Sequence, residues 1–232
     1  MAKSNGQFQI MNKLSFIFIL SSLIFHLSLA QNADLDFKHF TTADGLVTNW
    51  MIRCPIVQDA QGFIWIGSDH GLHKYDGYKF TVFTHDENDS TSISNNSINA
   101  MHVDRKGRLW IGTKSGLNKW QPEMESFKHF FLPDNKGSSR TNIGRIREDN
   151  KGNFRIVTNK GAIIFNPDTE TSRLFSFDFD RILGGPPSAG YLDKNDVFWV
   201  GGKNIIARYN LSTSEVKTYD LREAKFITIQ KF

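Results

Sequence analysis

Two histidines three apart, His70 and His73, flank Gly71 and Leu72, and imidazoles at such a spacing can share a metal ion. A closed zinc site needs two more ligands, and none stands nearby. The residues that correspond to the pair 45 positions on are Ser115 and Asn118, so both histidine positions are read as ordinary loop and strand surface. Asp86, Glu87, Asn88 and Asp89 offer oxygen ligands for calcium, yet the run lacks the central glycine and closing glutamate of a calcium loop and reads as solvated acidic loop. Four aspartates, Asp59, Asp104, Asp149 and Asp193, would be candidates for the carboxylate pair of glycoside hydrolysis. Their regular recurrence argues otherwise, because a catalytic carboxylate is needed once and a turn-stabilising one is needed in every repeat. Neither a nucleophile elbow, nor His-Glu-x-x-His, nor a phosphate-binding glycine loop occurs. No metal, no cofactor and no catalytic residues are expected, and binding remains.

The elements that position these residues come from one repeated stretch. Residues 59–72 return as residues 104–117, matching at Asp59 and Asp104, Gly62 and Gly107, Trp65 and Trp110, Gly67 and Gly112, and Gly71 and Gly116. A third copy, residues 149–162, keeps Asp149, Gly152 and Gly161 but has Arg155 in place of the tryptophan and Val157 in place of the next glycine. A fourth keeps Asp193, Trp199 and Gly201. A period of about 45 residues filled with short β-type runs marks an all-β fold, a β-propeller with four-stranded blades. In the second copy the strands are expected over 98–103, 108–113, 116–121 and 127–131. Asp104 and Gly107 frame the first hairpin turn, the carboxylate accepting backbone N–H bonds and the glycine supplying positive φ. Along the second strand Phe63 and Trp65 point one way and Ile64 and Ile66 the other, so it must be covered on both faces. Trp65, Trp110 and Trp199 share that slot and are read as packing between blades rather than as sugar-stacking platforms.

The pattern Asp-x-x-Gly-x-Ile/Leu-Trp-Ile-Gly-Ser/Thr-x-x-Gly-Leu, with Lys74, Tyr75, Asp76 and Gly77 after its first copy and Asp44, Gly45 and Leu46 before it, resembles the two-component regulator propellers. These form the periplasmic sensor region of bacterial hybrid histidine kinases. The likeness covers residues 35–220, strongest in the first two copies and weakest in the third. A sialidase-type propeller also places Asp, Gly and Trp on a hairpin, but with one residue between Asp and Gly where this chain has two. The resemblance implies an extracytoplasmic sensing module that recognises an oligosaccharide or a similar small ligand. Its kinase portion and remaining blades would belong to a longer protein, anchored in the inner membrane and compatible with dimerisation. Two other readings stand beside it: an exported propeller enzyme acting on carbohydrate, sialidase-like or lyase-like, and a protein-interaction scaffold. On a propeller the ligand is expected over the axial mouth, reached by loops between blades and loops joining second and third strands. Trp50, Asp69, His70, Asn96 and Arg140 are the candidates there. Amide, carboxylate and guanidinium groups suit sugar hydroxyls, and an indole face suits a pyranose ring; Trp50 can equally well simply pack.

Residues 1–30 form a signal peptide, with Lys3 and Lys13 ahead of an apolar run over 14–29 and Ala30 at the cleavage position. The run is broken by Ser21, Ser22 and His26 and falls short of the about 20 apolar residues of a spanning helix. Removing it takes away two lysines and no acids, lowering the formal charge from +4 to +2; no basic stretch interleaved with aromatics appears, so nucleic acid is not an expected partner. The single Cys54 precludes an intrachain disulfide and reads as a small buried hydrophobe.

The mature chain, 31–232, is expected to be an incomplete ring of about four blades, over 50–92, 97–135, 141–180 and 187–222. Residues 223–232 are expected to start a further blade as its inner strand, and helix is expected only within 10–30. Residues 34–40 read as a strand awaiting a partner, and 85–96, 133–142 and 183–188 as loops between blades.

Overall fold

A computed structural model of the chain describes residues 37–49, 55–130, 132, 141–185, 187, 189–193, 195–222 and 225–229. The chain divides into two compact units, Met1–His39 and Phe40–Phe232; of the first only residues 37–39 are described, and all the regular structure described lies in the second. The signal peptide, Trp50, Cys54 and Arg140 fall outside the described residues.

The second unit is four antiparallel sheets in chain order, an incomplete propeller. Blade one comprises β1 (Ile56–Gln58), β2 (Ile64–Ser68), β3 (Gly71–Tyr75) and β4 (Phe80–Phe83). Blade two comprises β5 (Ile98–Val103), β6 (Leu109–Thr113), β7 (Gly116–Gln121) and β8 (Ser126–Phe130). Blade three comprises β9 (Ile143–Glu148), β10 (Phe154–Thr158), β11 (Gly161–Asn166) and β12 (Thr171–Ser176). Blade four comprises β13 (Ala189–Leu192), β14 (Val197–Gly201), β15 (Ile205–Asn210), β16 (Val216–Asp220) and a fifth strand, β17 (Lys225–Ile229). These boundaries agree with the expected strands of the second copy to within a residue.

Each recurring aspartate performs the expected turn chemistry. Asp59 Oδ1 accepts the N–H groups of Gln61 and Phe63, and Asp104 Oδ1 those of Lys106 and Arg108. Asp149 and Asp193 repeat the pattern. The other carboxylate oxygen reaches the tryptophan six residues on: Trp65 Nε1 donates to Asp59 Oδ2 at 2.7 Å, and Trp110 Nε1 to Asp104 Oδ2 at 3.0 Å. In the third copy Arg155 Nη2 donates to Asp149 Oδ2 at 3.1 Å, so the guanidinium takes over the indole's bond. The turn glycines Gly62, Gly107 and Gly152 hold φ of 92°, 76° and 81°; the fourth copy puts Asp196 there at φ 59°, a conformation that asparagine and aspartate tolerate best among residues with a Cβ.

The core lies between blades. Trp65 on β2 packs edge-on against Trp120 of β7, with ring centroids 5.1 Å apart, amid Leu72, Ile98, Met101 and Phe127. Trp110 on β6 meets Phe154 of β10 and Phe165 of β11 at 5.1 and 5.6 Å. Between blades three and four the filling is Phe177, Phe179, Leu183, Leu192, Phe198 and Ala207. Close approach is secured by small residues: a Cβ on Gly67 would stand 2.6 Å from Ile98 Cγ2 across the first seam, and one on Gly112 would strike Ile143 across the second. At the third seam the arrangement is reversed. Val157 fills the strand-two position, and the facing β13 supplies Gly190, whose Cβ would stand 2.7 Å from Val157 Cγ1.

Several expectations are corrected. Residues 37–40, Phe-Lys-His-Phe, are not a strand, although Phe127, Lys128, His129 and Phe130 repeat them letter for letter within β8. The difference is the partner: β8 pairs along β7, and a strand needs a neighbour's N–H and C=O groups to persist. Helix is not confined to 10–30, because a 3₁₀ turn occupies Thr42–Asp44 and a short helix, α1, occupies Phe179–Leu183. There Asp178 accepts the Arg181 N–H, and Phe179 and Leu183 are buried in the third seam, so the chain between blades three and four is partly core. β17 does not open a new blade; it pairs antiparallel with β16, Val216 opposite Ile229, satisfying the edge that β16 would otherwise leave open. Trp199 has the register of Trp65 and Trp110, opposite Arg208 as they are opposite Lys74 and Lys119. It is only half-buried, lying on the face of blade four turned away from Phe198 and Val200.

Candidate functional site

The inner strands of the blades border a groove of about 1010 Å³. Blade one contributes Ser68 and Asp69, blade two Ile98 and Asn99, blade three Asn142, Gly144, Arg145 and Asn159, and blade four Tyr191 and Trp199. On the inner strands of blades two and three the groove coincides with bulges. On β5 Ile98 pairs with Thr113 and Ala100 with Gly112, which leaves Asn99 as the unpaired extra residue; β9 repeats the irregularity at Gly144.

A chain of polar contacts crosses the blades along this groove. Ser97 Oγ donates to Asp69 Oδ1 at 2.6 Å, linking blades one and two. Asn99 Nδ2 donates to Asn142 Oδ1 at 2.8 Å, linking blades two and three. Asn142 and Asn159 clasp each other, the Asn142 N–H on Asn159 Oδ1 and the Asn159 N–H on the Asn142 carbonyl, both at 3.2 Å. This leaves Asn99 Oδ1 and Asn142 Nδ2 without a hydrogen-bond partner among the described residues. Arg145 is exposed. Tyr191 is 40% exposed, with the Arg147 guanidinium 5.1 Å from its ring centre. Trp199 stacks on Tyr219 with centroids 6.3 Å apart. Donors, acceptors, a cation and aromatic faces thus line one trough, an arrangement suited to hold a polar ligand of several rings.

Of the residues singled out from sequence, Asp69 lines the groove. His70 is exposed and does not line it; its N–H donates to Ser68 Oγ. Asn96 is engaged in its own loop, accepting the His85 N–H at 2.6 Å. Trp50 and Arg140 lie outside the described residues. Sequence reasoning missed Asn99, Arg145 and Tyr191 because it searched loop tips, whereas these stand on the inner strands β5, β9 and β13; Asn142, directly before β9, and Asn159, between β10 and β11, lie in the loops it searched and were passed over. The available signal was the asparagine beside the first apolar residue of an inner strand, Asn99 after Ile98 and Asn142 before Ile143.

His73 and Asn118 are likewise not surface. Both are fully buried, and both do one task. Asn118 Oδ1 accepts the Ser94 N–H at 3.0 Å while its Nδ2 donates to the Ile111 carbonyl at 3.3 Å. His73 Nε2 accepts the Val47 N–H at 3.1 Å while Nδ1 donates to the Ile66 carbonyl at 3.2 Å. Each pins the loop entering its blade to the blade's second strand. Burial lowers the His73 pKa, and the bond to the Ile66 carbonyl opposes this. Among the described residues no three His, Cys, Asp or Glu side chains gather as a metal site would require.

Blades of four antiparallel strands, packed through aromatic seams around an inner groove, define an incomplete propeller. Residues 92–115 match the two component regulator propeller family, so the chain carries that family's repeat. Histidine kinase P4 of Formosa agariphila is 45% identical over 65 residues, which is 28% of this chain and 5% of that protein. Among solved structures, the extracellular domain assigned to the hybrid two component system BT3049 of B. thetaiotaomicron aligns with 82% of this chain and 31% of its own, at 17% identity and a TM-score of 0.61. A streptogramin B lyase aligns with 79% of this chain and 64% of its own, at 14% identity and a TM-score of 0.51. The chain thus spans about a twentieth of the curated relative and less than a third of the hybrid system's domain. The structural likenesses are of fold.

Proposed function

We propose that the second unit is part of the ligand-sensing propeller of a two-component signalling protein, and that its inner groove holds the ligand, an oligosaccharide or similar small molecule. The observation that carries this reading is the groove itself. All four blades reach it, and it combines free amide groups of Asn99 and Asn142 with Arg145 and the rings of Tyr191 and Trp199. Amides and guanidinium match vicinal hydroxyls, and aromatic faces match the apolar face of a pyranose. The regulator propeller repeat and the histidine kinase relative support a sensing role. The leader-like residues 1–30 support export; the kinase and membrane segments would belong to the remainder of a longer protein.

Calorimetry of the full chain against a panel of oligosaccharides tests the site. Arg145→Ala, at an exposed side chain, is expected to weaken binding at least tenfold with an unchanged melting temperature, and Asn142→Ala to weaken it likewise while melting a few degrees lower for loss of the Asn99 bond. Unchanged affinity would remove the groove from the reading. Turnover of any panel member would favour instead a carbohydrate-processing enzyme.

A further inference from the structure

The segment entering blade one lies on the face of that blade turned away from blade two. Phe40 sits edge-on to Tyr75 and Phe80, with centroids 5.0 and 5.3 Å away, and Leu46 is buried. The segment is internally braced. Thr41 and Asp44 form a reciprocal cap, with the Thr41 N–H on Asp44 Oδ2 at 2.8 Å, and Asn49 Oδ1 accepts the Thr42 N–H at 2.8 Å. It is therefore built to stay or lift as one piece. His73, at 0% exposure, joins it to the blade through the Val47 N–H.

That bond fixes the imidazole's state. Nε2 receives an N–H, so it carries no proton, and the ring's proton is on Nδ1 facing the Ile66 carbonyl. A second proton would have to go on Nε2, where it would point at the Val47 N–H. Donor would then face donor at a ring that is itself buried, and the bond cannot survive. We propose that His73 is a proton-operated latch: the neutral imidazole holds residues 40–49 against blade one, and the imidazolium releases them, uncovering Tyr75 and Phe80.

Among the described residues, the strands packed on the ring bring no competing charge to it. β2 presents Ile66, and β4 presents Val82 and Phe80, the latter ring 6.4 Å from the imidazole and perpendicular to it. Neither β2 nor β4 carries an ionisable side chain. On β3 the neighbours are Lys74, which turns to the opposite face over Phe63, and Tyr75, whose hydroxyl donates to the Gly77 carbonyl. In the segment Asp44 is taken up by Thr41. Blade two supplies an internal control, because Asn118 performs the same two-bond task on Ser94 with a side chain that does not titrate.

The burial-lowered pKa of His73 sets the direction. The latch is fully effective above the imidazole's unperturbed value of 6.5 and weakens as the pH falls below it. Between that value and the lowered folded pKa, each unit of pH lowers the latched population relative to the released one about tenfold.

The test is hydrogen exchange of the full chain, read as protection factors for the Val47 and Ser94 amides between pH 8 and pH 4.5. The expected result is Val47 protection that falls at least tenfold across this range while Ser94 protection stays flat. His73→Asn, which copies blade two, is expected to flatten the Val47 profile. The reciprocal Asn118→His is expected to give Ser94 a pH-dependent profile. Val47 protection that is flat in the wild type, or equally pH-dependent in His73→Asn, would overturn the latch. Should His73→Asn fail to fold, nitrogen shifts of the wild-type imidazole decide: a proton on Nδ1, with the Val47 amide shift tracking the ring's titration, supports it, and a proton on Nε2 at neutral pH refutes it.

Discussion

Asp104 serves a backbone turn, an indole and a guanidinium at once. Burial pushes its carboxyl up, and the Arg108 backbone N–H, the Trp110 indole and the Arg108 guanidinium together outweigh burial and hold it below the usual carboxylate range. Its contribution to stability is therefore complete above the unperturbed value of 3.8 and is lost as the pH falls below that toward the folded pKa. Asp104→Asn is expected to flatten this acid limb in melts taken between pH 5 and pH 3. Trp110→Ala should cost about 3–5 kcal/mol in urea unfolding, as a fully buried large-to-small change. Two conservative changes separate bonding from packing. Trp110→Phe gives up the Asp104 bond and should lose about 1–3 kcal/mol. The Trp120 Nε1 is buried with no partner among the described residues, so Trp120→Phe sheds a costly orphan along with some volume and should melt within a few degrees of wild type. The roles of Asp104 and Trp110 were legible in sequence because recurrence separates structural residues from chemical ones. His73 was not legible: its equivalent, Asn118, shares no obvious chemistry with imidazole until both are seen to present one acceptor and one donor.

At the scale of elements, strands and turns followed from residue types, because Asp, Gly and the alternation of apolar residues act within one hairpin. What could not be read was anything decided by a partner. Residues 37–40 and β8 have identical letters and different structures, and β17 found the edge of β16. The groove residues escaped for a similar reason, since a bulge at Asn99 depends on register against β6. The third blade's drifted letters turn out to be matched substitutions. Arg155 replaces the tryptophan and stands opposite Ile164, whereas the intact blades pair Trp65 with Lys74 and Trp110 with Lys119, so the cation has moved one strand over. From there Arg155 bonds Asp149 and also reaches Asp196 across the seam. Arg155→Met leaves both carboxylates without their cation, Asp149 nearly buried and still holding its turn N–H groups and Asp196 partly exposed, and is expected to cost about 1–3 kcal/mol by thermal or urea unfolding.

Over the whole array, each blade packs on its sequence neighbours, so stability should be distributed seam by seam. Trp65→Ala is expected to raise amide exchange in blades one and two and leave β14 and β15 at wild-type rates; uniform loss of protection would show instead a single cooperative block. The reversed glycine at the third seam reaches further. Blades one and two each present a glycine to an isoleucine of the blade that follows, and blade three presents Val157 to Gly190. A gene duplication or deletion that set blade four after blade two would bring glycine to glycine and open a void. One that set blade two after blade three would drive valine into isoleucine. The seams act as an address, so recombination among these repeats is free to copy blades one and two but is penalised wherever it moves the junction between three and four.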